Sequence, residues 1–365
     1  PLGIQSLCRF SSFSPEQSVH LYGIATFCPN GFIREKALLG LRHLPGNQAL
    51  PYLLLRLNDW VANVRNAAEK LLLEQLPQLH AYDIISHHKC ITWLSTTKRI
   101  DLRNTQRTLI SHMLRSINPE TLTQNTHPFT SEEKLFVLTS MPIVSVRQSP
   151  LFLDHAMIDK NVRIRYWAAN IMHNASMLTP QRLQKLLNDK AIRVRYRAIK
   201  NLSRKHFLMY HTLVRPRLFD NVKAIRNYAQ FLFTTYSDTP MATIYRNALE
   251  DAENRIQAGI LAGLAETTKT SDTQHLLKKY IHHPKAPIRA AVLASLHHLQ
   301  TPHMHAVYLQ GLKDTSNKVR KTCAAALQTS YAPQDSVLLQ LLQHDKEATQ
   351  IAAFKDVVGL FFGAA

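Results

Sequence analysis

Glycine is scarce in this chain, ten residues in 365, and its scarcity excludes a good deal. Phosphate-cradling loops and tight hairpins both rely on glycine to reach positive φ or to let backbone approach a ligand. No such loop occurs, and no strand-like alternation of apolar and polar residues competes with a helical reading. Long apolar runs are missing too: none reaches the roughly 18 residues of a membrane span, and no basic leader precedes an apolar stretch. The four cysteines, Cys8, Cys28, Cys90 and Cys323, are far apart and make no CxxC or other ligand spacing, so a reducing, cytoplasmic setting is expected. Because the chain opens on Pro-Leu-Gly rather than methionine, that expectation attaches to this stretch alone.

Catalytic signatures are equally thin. There is no nucleophile elbow, no HExxH and no paired-cysteine motif. Histidines are numerous but come as neighbours, at His87-His88, His282-His283 and His297-His298. Adjacent helical residues point about 100° apart and cannot converge on one metal. His303 and His305 are the remaining ligand candidates, so no cofactor or metal and no small-molecule substrate is expected. Acidic side chains are the last shortage: 25 Asp and Glu stand against 44 Lys and Arg, a formal charge of +19, which suits anionic partners and also keeps a solvated face soluble.

What the chain has instead is a repeat. Residues 159–172 read DKNVRIRYWAANIM and residues 189–202 read DKAIRVRYRAIKNL. Anchored on Arg165 and Arg195, the same frame recurs at Arg34, Arg65, Arg226, Gln257, Arg289, Arg320 and Ile351, with clear neighbours 30 to 32 residues apart. A branched apolar residue precedes each anchor, as in Ile33, Val64, Val194, Ile225, Ile256, Ile288 and Val319; a small residue follows three places later in most copies, and Leu41, Leu72, Met172, Leu202, Phe233, Leu264, Leu296, Leu327 or Val358 follows at seven. Those offsets share one stripe of an α-helix. Six places before the anchor stands Asp59, Asp159, Asp189, Asp220, Asp251, Asp314 or Asp345, and ahead of each Asp runs a shorter amphipathic stretch such as RLQKLLND. Every unit therefore predicts a helix, an Asp-bearing turn and a second helix. Such a pair cannot bury both apolar faces alone, so neighbours must stack.

Helix, Asp turn, then Val-Arg-x-x-Ala-x-x-x-Leu resembles a HEAT repeat, and the period near 31 resembles the short HEAT-like units of the phycobilisome-lyase type. The resemblance covers residues 31–76 and 150–360. It implies an all-α, right-handed α-solenoid, a superhelix of about eleven stacked antiparallel helix pairs forming one continuous domain, and it implies an interaction scaffold rather than an enzyme.

The expected organisation is a cap with a first helix at 1–30, started by Ser14-Pro15-Glu16; HEAT-like repeats at 31–76; divergent repeats with an insertion at 77–149; and HEAT-like repeats with a C-terminal cap at 150–365. Between Arg65 and Arg165 the turns lose the consensus, 102–114 and 132–141 still read as helices, and SINPETLTQNTHPFT (116–130) reads as a loop. Cys323 occupies a small core position, where its thiol is expected to pack inertly.

One arginine per copy has a structural reading. Asp59 with Arg65, Asp159 with Arg165, Asp189 with Arg195, Asp220 with Arg226 and Asp314 with Arg320 are placed to build a charged ladder, the Arg reaching the Asp of its own or the adjacent turn and the Asp capping the helix. The surplus needs another reading. Between 160 and 226 there are sixteen Lys or Arg and two acids. Arg163, Tyr166, Arg193, Tyr196, Arg197, Lys200, Arg204 and Lys223 are the candidate partner-binding residues. Offsets +1, +5 and +9 place Tyr166, Asn170 and Asn174, and likewise Tyr196, Lys200 and Arg204, on i, i+4 rows of the second helices, which in HEAT-like stacks line the concave face.

A basic surface with interleaved tyrosines suits an acidic protein surface or peptide, a nucleic acid or an anionic membrane. The leading expectation is the acidic protein. The second is a nucleic-acid binder related to HEAT-like DNA glycosylases, although Trp60, Trp93 and Trp167 are dispersed and none has a carboxylate one helical turn beyond it. The third, a phycobilisome-lyase-like protein, has no motif here that specifies a bilin site.

Overall fold

The computed structural model describes residues 4–117, 129–142, 150–172, 177–251 and 257–330. Asn174, Ile256, Asp345, Ile351, Val358, the C-terminal cap and most of the 116–130 loop lie outside them. All regular structure among the described residues is helical, and no helix there is long and apolar enough to cross a membrane. The chain divides into two compact units, Pro1–Ile171 and Met172–Ala365, where the sequence reading expected one continuous domain. A stack in which each hairpin touches only its neighbours holds no core that would forbid such a division.

The first unit contains α1 (Ile4–Leu7), α2 (Pro15–Ala25), α3 (Gly31–Gly40), α4 (Gly46–Arg56), α5 (Ala62–Gln75), α6 (Ala81–Ser86), α7 (His88–Leu94), α8 (Arg103–Ser116), α9 (Ser131–Ser140), α10 (Pro150–Ala156) and α11 (Val162–Ile171). Ser14 opens α2 through a capping box with Gln17. Hairpins α2/α3 and α4/α5 stack with like helices side by side, α2 on α4 and α3 on α5. Their shared core is Val19, Ile33, Leu38, Leu50, Leu53, Val64, Ala68 and Leu72, all nearly inaccessible. In the divergent region the first helix of a pair is broken at His87 into α6 and α7, and both halves pack on α8.

The second unit contains α12 (Pro180–Leu187), α13 (Ile192–Lys200), α14 (Arg204–Val214), a 3-10 turn at Arg215–Phe219, α15 (Lys223–Tyr236), α16 (Met241–Glu250), α17 (Ala258–Thr267), α18 (Ser271–Lys278), α19 (Ala286–His298), α20 (His305–Gly311) and α21 (Asn317–Ser330). The second helices of the hairpins, α13, α15, α17, α19 and α21, lie side by side in one layer, and first helices such as α12 and α14 form the other. The residues at −1, +3 and +7 of the anchors, among them Val194, Ala198, Ile225, Ala229, Ile288, Val319 and Cys323, are buried between the layers. Burial, seconded by Asp314, pushes the Cys323 thiol up to about 12.

α19 ends in a Schellman motif: the Thr301 amide donates to the Leu296 carbonyl and the Gln300 amide to the His297 carbonyl. Gln300 holds φ 50°, a left-handed conformation that costs a side-chain-bearing residue about 1–2 kcal/mol. Part of that cost should be recovered by Gln300→Gly, the remainder being lost to the freer unfolded chain. The expected gain is roughly 0.5–1 kcal/mol in urea denaturation; no gain would mean that Gln300 makes a compensating contact.

Candidate functional site

Each anchor arginine sits about one turn into its second helix. Its Nη1 donates backward to the carbonyl six residues earlier: Arg65 to Asp59, Arg165 to Asp159, Arg195 to Asp189, Arg226 to Asp220 and Arg320 to Asp314, at 2.7–2.9 Å. In three of them the Nε and Nη2 also reach forward to the carboxylate 25 residues later, Arg34 to Asp59, Arg195 to Asp220 and Arg289 to Asp314. Within one copy the arginine thus meets the backbone of the Asp, while the side chains of Asp59, Asp220 and Asp314 serve the preceding copy. Nor does the Asp reach the first-turn amides: Asp59, Asp159, Asp189, Asp220 and Asp314 accept from the amide two residues on, an Asx turn that shapes the entry to the helix.

The ladder departs from its rule at Arg226. Asp251, 25 residues on, is exposed, and Glu266 of α17 takes the guanidinium at 2.6 and 3.1 Å. Gln230 joins it, donating to Glu266 and to the Tyr245 hydroxyl, which donates to the Leu218 carbonyl at 2.8 Å. Burial is the main reason the Tyr245 phenol is pushed up to about 12.

Above this ladder lies the basic surface. On α13, Val194, Ala198 and Ile199 face the core, leaving Arg193 and Lys200 exposed and Tyr196 and Arg197 half-buried. α13 ends at Lys200, and Arg204 begins α14 behind the Ser203 cap. The row Tyr196, Lys200, Arg204 therefore does not run along one helix, because the chain leaves the α-helical path after Lys200. Arg204 instead sets its guanidinium 6.0 Å from the centre of the Tyr236 ring. Lys223 is exposed at the first position of α15. Arg163 and Tyr166 are exposed on α11 of the first unit, and the other six candidates belong to the second.

Asp220 cannot neutralise this surface. Its two oxygens take Arg195, Arg217 and the Val222 amide, and it is almost fully buried. α13, α14 and α15 contain no other carboxylate between them.

Aromatic rings that the repeat frame did not single out complete the surface. Tyr228 of α15 lies edge-on to Tyr196 (ring centres 6.4 Å apart, 72° between planes) and tilted against Phe231 (5.7 Å, 47°). Its hydroxyl donates to the Lys200 carbonyl at 3.2 Å, and the Lys200 ammonium lies 5.8 Å from the centre of the Tyr196 ring. Further along the second-helix layer a trough of about 320 Å³ opens across α15, α17, α19 and α21, with Ala258, Ala262, Ala291 and Ala294 in its lining and Lys223 and Lys318 beside them.

Among the described residues no group of three His, Cys, Asp or Glu could hold a metal ion, His303 and His305 included. Trp60 stacks on the Arg34 guanidinium at 4.2 Å, Trp167 is buried against Phe152, and the carboxylate next to Trp60, Asp59, is consumed by Arg34 and Arg56.

No protein-family model and no curated protein matches the chain. Solved structures similar to it include Kap95p, at 11% identity over 99% of this chain with a TM-score of 0.41; Importin Beta, at 11% over 98% with 0.30; and an engineered protein, at 13% over 98% with 0.30. The chain spans 59% of the Kap95p chain, 53% of Importin Beta and 98% of the engineered protein. Similarities of this size assign no activity, substrate or partner.

Proposed function

We propose that this chain is a non-enzymatic HEAT-like interaction scaffold that binds an acidic protein segment on the second-helix layer of its second unit, through Arg193, Tyr196, Lys200 and Lys223, with Arg197 and Arg204 at the margins. One observation carries the reading: exposed cations are gathered on α13 and α15 while Asp220, the single carboxylate of that stretch, is turned inward to the ladder. A surface whose countercharge is committed to the core must find it in solution or in a partner. Arg163 and Tyr166 offer the same chemistry on the first unit.

The test is a fluorescence-anisotropy titration with a labelled glutamate-rich peptide and a labelled single-stranded DNA, comparing the wild type with Arg193→Glu/Lys200→Glu/Lys223→Glu. The three side chains are exposed, so the variant should keep its melting temperature and lose at least about tenfold in affinity for the peptide. Equal peptide affinity in the two proteins would dismiss the surface. Tighter and steeply salt-dependent binding of the single strand, abolished by the same variant, would replace the reading with a nucleic-acid one.

A further inference from the structure

Burial does not explain the place of Phe231. α15 buries Ile225, Arg226, Ala229, Leu232 and Phe233, and Phe231 stands outside that stripe, 52% exposed. It shares an i, i+4 row with Asn227 and Lys223, all exposed, so Lys223 lies two turns away, about 12 Å along the axis. Behind it Tyr228 is fixed at both ends, by its hydroxyl on the Lys200 carbonyl and by its ring edge-on to Tyr196. Phe231 is thus an exposed ring packed on an immobilised tyrosine, with Lys223 on its own exposed row and Lys200 beside the Tyr196 ring that Tyr228 meets.

We infer that Phe231, packed against Tyr228, is the apolar anchor of the binding surface, and that the segment it receives carries an apolar or aromatic side chain flanked by carboxylates. This rests on the reading above and narrows the partner. The energy of protein interfaces concentrates in aromatic side chains packed at the centre of a polar rim, and rings already held in place lose little conformational freedom on binding. Charge complementarity fixes the flanks, since α13, α14 and α15 offer a partner no carboxylate other than the buried Asp220. The ring geometry argues against stacked bases. Successive bases need parallel open faces, whereas these rings meet at 72° and 47° and the Lys200 ammonium lies against the Tyr196 ring.

The experiment compares two labelled peptides of equal negative charge, one with a central tryptophan among glutamates and one with serine in its place. They are titrated against the wild type, Phe231→Ala, Phe231→Leu and Lys200→Glu/Lys223→Glu. The wild type should prefer the tryptophan peptide about tenfold. Phe231→Ala should erase the preference while leaving the salt dependence of both peptides intact, and Phe231→Leu should keep part of it. Unchanged circular dichroism and melting temperature are expected, because the side chain is exposed. A wild type without preference, or a Phe231→Ala protein that retains it, overturns the anchor alone, provided the charge variant still weakens both peptides. Failure of both peptides to bind, or binding indifferent to the charge variant, removes the acidic-segment reading and the anchor with it.

Discussion

An Asp59→Ala protein should unfold about 3–5 kcal/mol more easily than the wild type, the range found when one partner of a buried ion pair is removed. Asp59 is enclosed, with its oxygens 2.8 and 3.0 Å from Arg34 and 3.0 Å from Arg56, and neither its side chain nor that of Arg34 has measurable exposure. Trp60 covers the Arg34 guanidinium and Phe27 the Arg56 guanidinium, so water cannot simply replace the carboxylate. Urea titration should show a lower midpoint at constant slope. A double variant, Arg34→Met/Asp59→Ala, should lose less than the sum of the two single changes, because most of the cost lies in stranding a charge rather than in losing the pair. A single variant within about 1 kcal/mol of the wild type would show that this turn opens to solvent.

The same carboxylate sets a pH signature. Burial pushes the Asp59 carboxyl up, but the hydrogen bonds from Arg34, the Val61 amide and Arg56 outweigh it and hold the group below its ordinary range. A depressed folded-state value stabilises the protein above the unfolded value, about 3.9, and that stabilisation is lost as pH falls through the folded value. The deficit of Asp59→Ala should therefore be complete at neutral pH and shrink only in acid below about pH 4. A deficit that is flat into strong acid would contradict the assignment.

Gly259→Ala should be the second large effect, about 3 kcal/mol of destabilisation, at the upper end for overpacking. Helix propensity alone predicts the opposite sign, a gain of about 1 kcal/mol for removing a glycine from a helix. The difference lies in what α17 touches. A methyl group on Gly259 would run into the Phe219 carbonyl and crowd that of Asp220, and this backbone cannot yield freely while the Asp220 carboxylate is held by Arg195, Arg217 and Val222. One turn on, a methyl group at Gly263 would strike the Tyr245 ring, itself fixed by Leu218 and Gln230. Thermal and urea unfolding decide the sign, and a Gly259→Ala protein as stable as the wild type would rule out the close approach.

Much of this molecule can be read along the chain. The anchor frame locates the second helices, and the buried residues at −1, +3 and +7 follow from helical periodicity alone. Even the forward bond of the ladder is within reach: an Asp six places before an anchor, in a repeat near 31, must fall 25 after the previous anchor, which is the separation of Arg34 from Asp59, Arg195 from Asp220 and Arg289 from Asp314. Arg34 and Arg289 stand in the ladder for that reason, although their own turns carry no Asp at the expected position.

Other features were beyond any local pattern. Glu266 in place of Asp251, the end of α13 at Lys200 that sends Arg204 to another helix, and the meeting of Tyr196 with Tyr228 all depend on which helix lies beside which. The sequence by itself determined the all-helical hairpin, its period, its core stripe and its excess of positive charge, because these rest on spacing within a single repeat and on composition. Tertiary structure alone decided which carboxylates are spent on the ladder, where glycine is obligatory, and that Phe231 packs against a Tyr228 held in place by Lys200 and Tyr196. The reason is that a stripe on one helix states what must be buried or exposed, while the partner it meets is set by the packing of a neighbour 25 to 40 residues away.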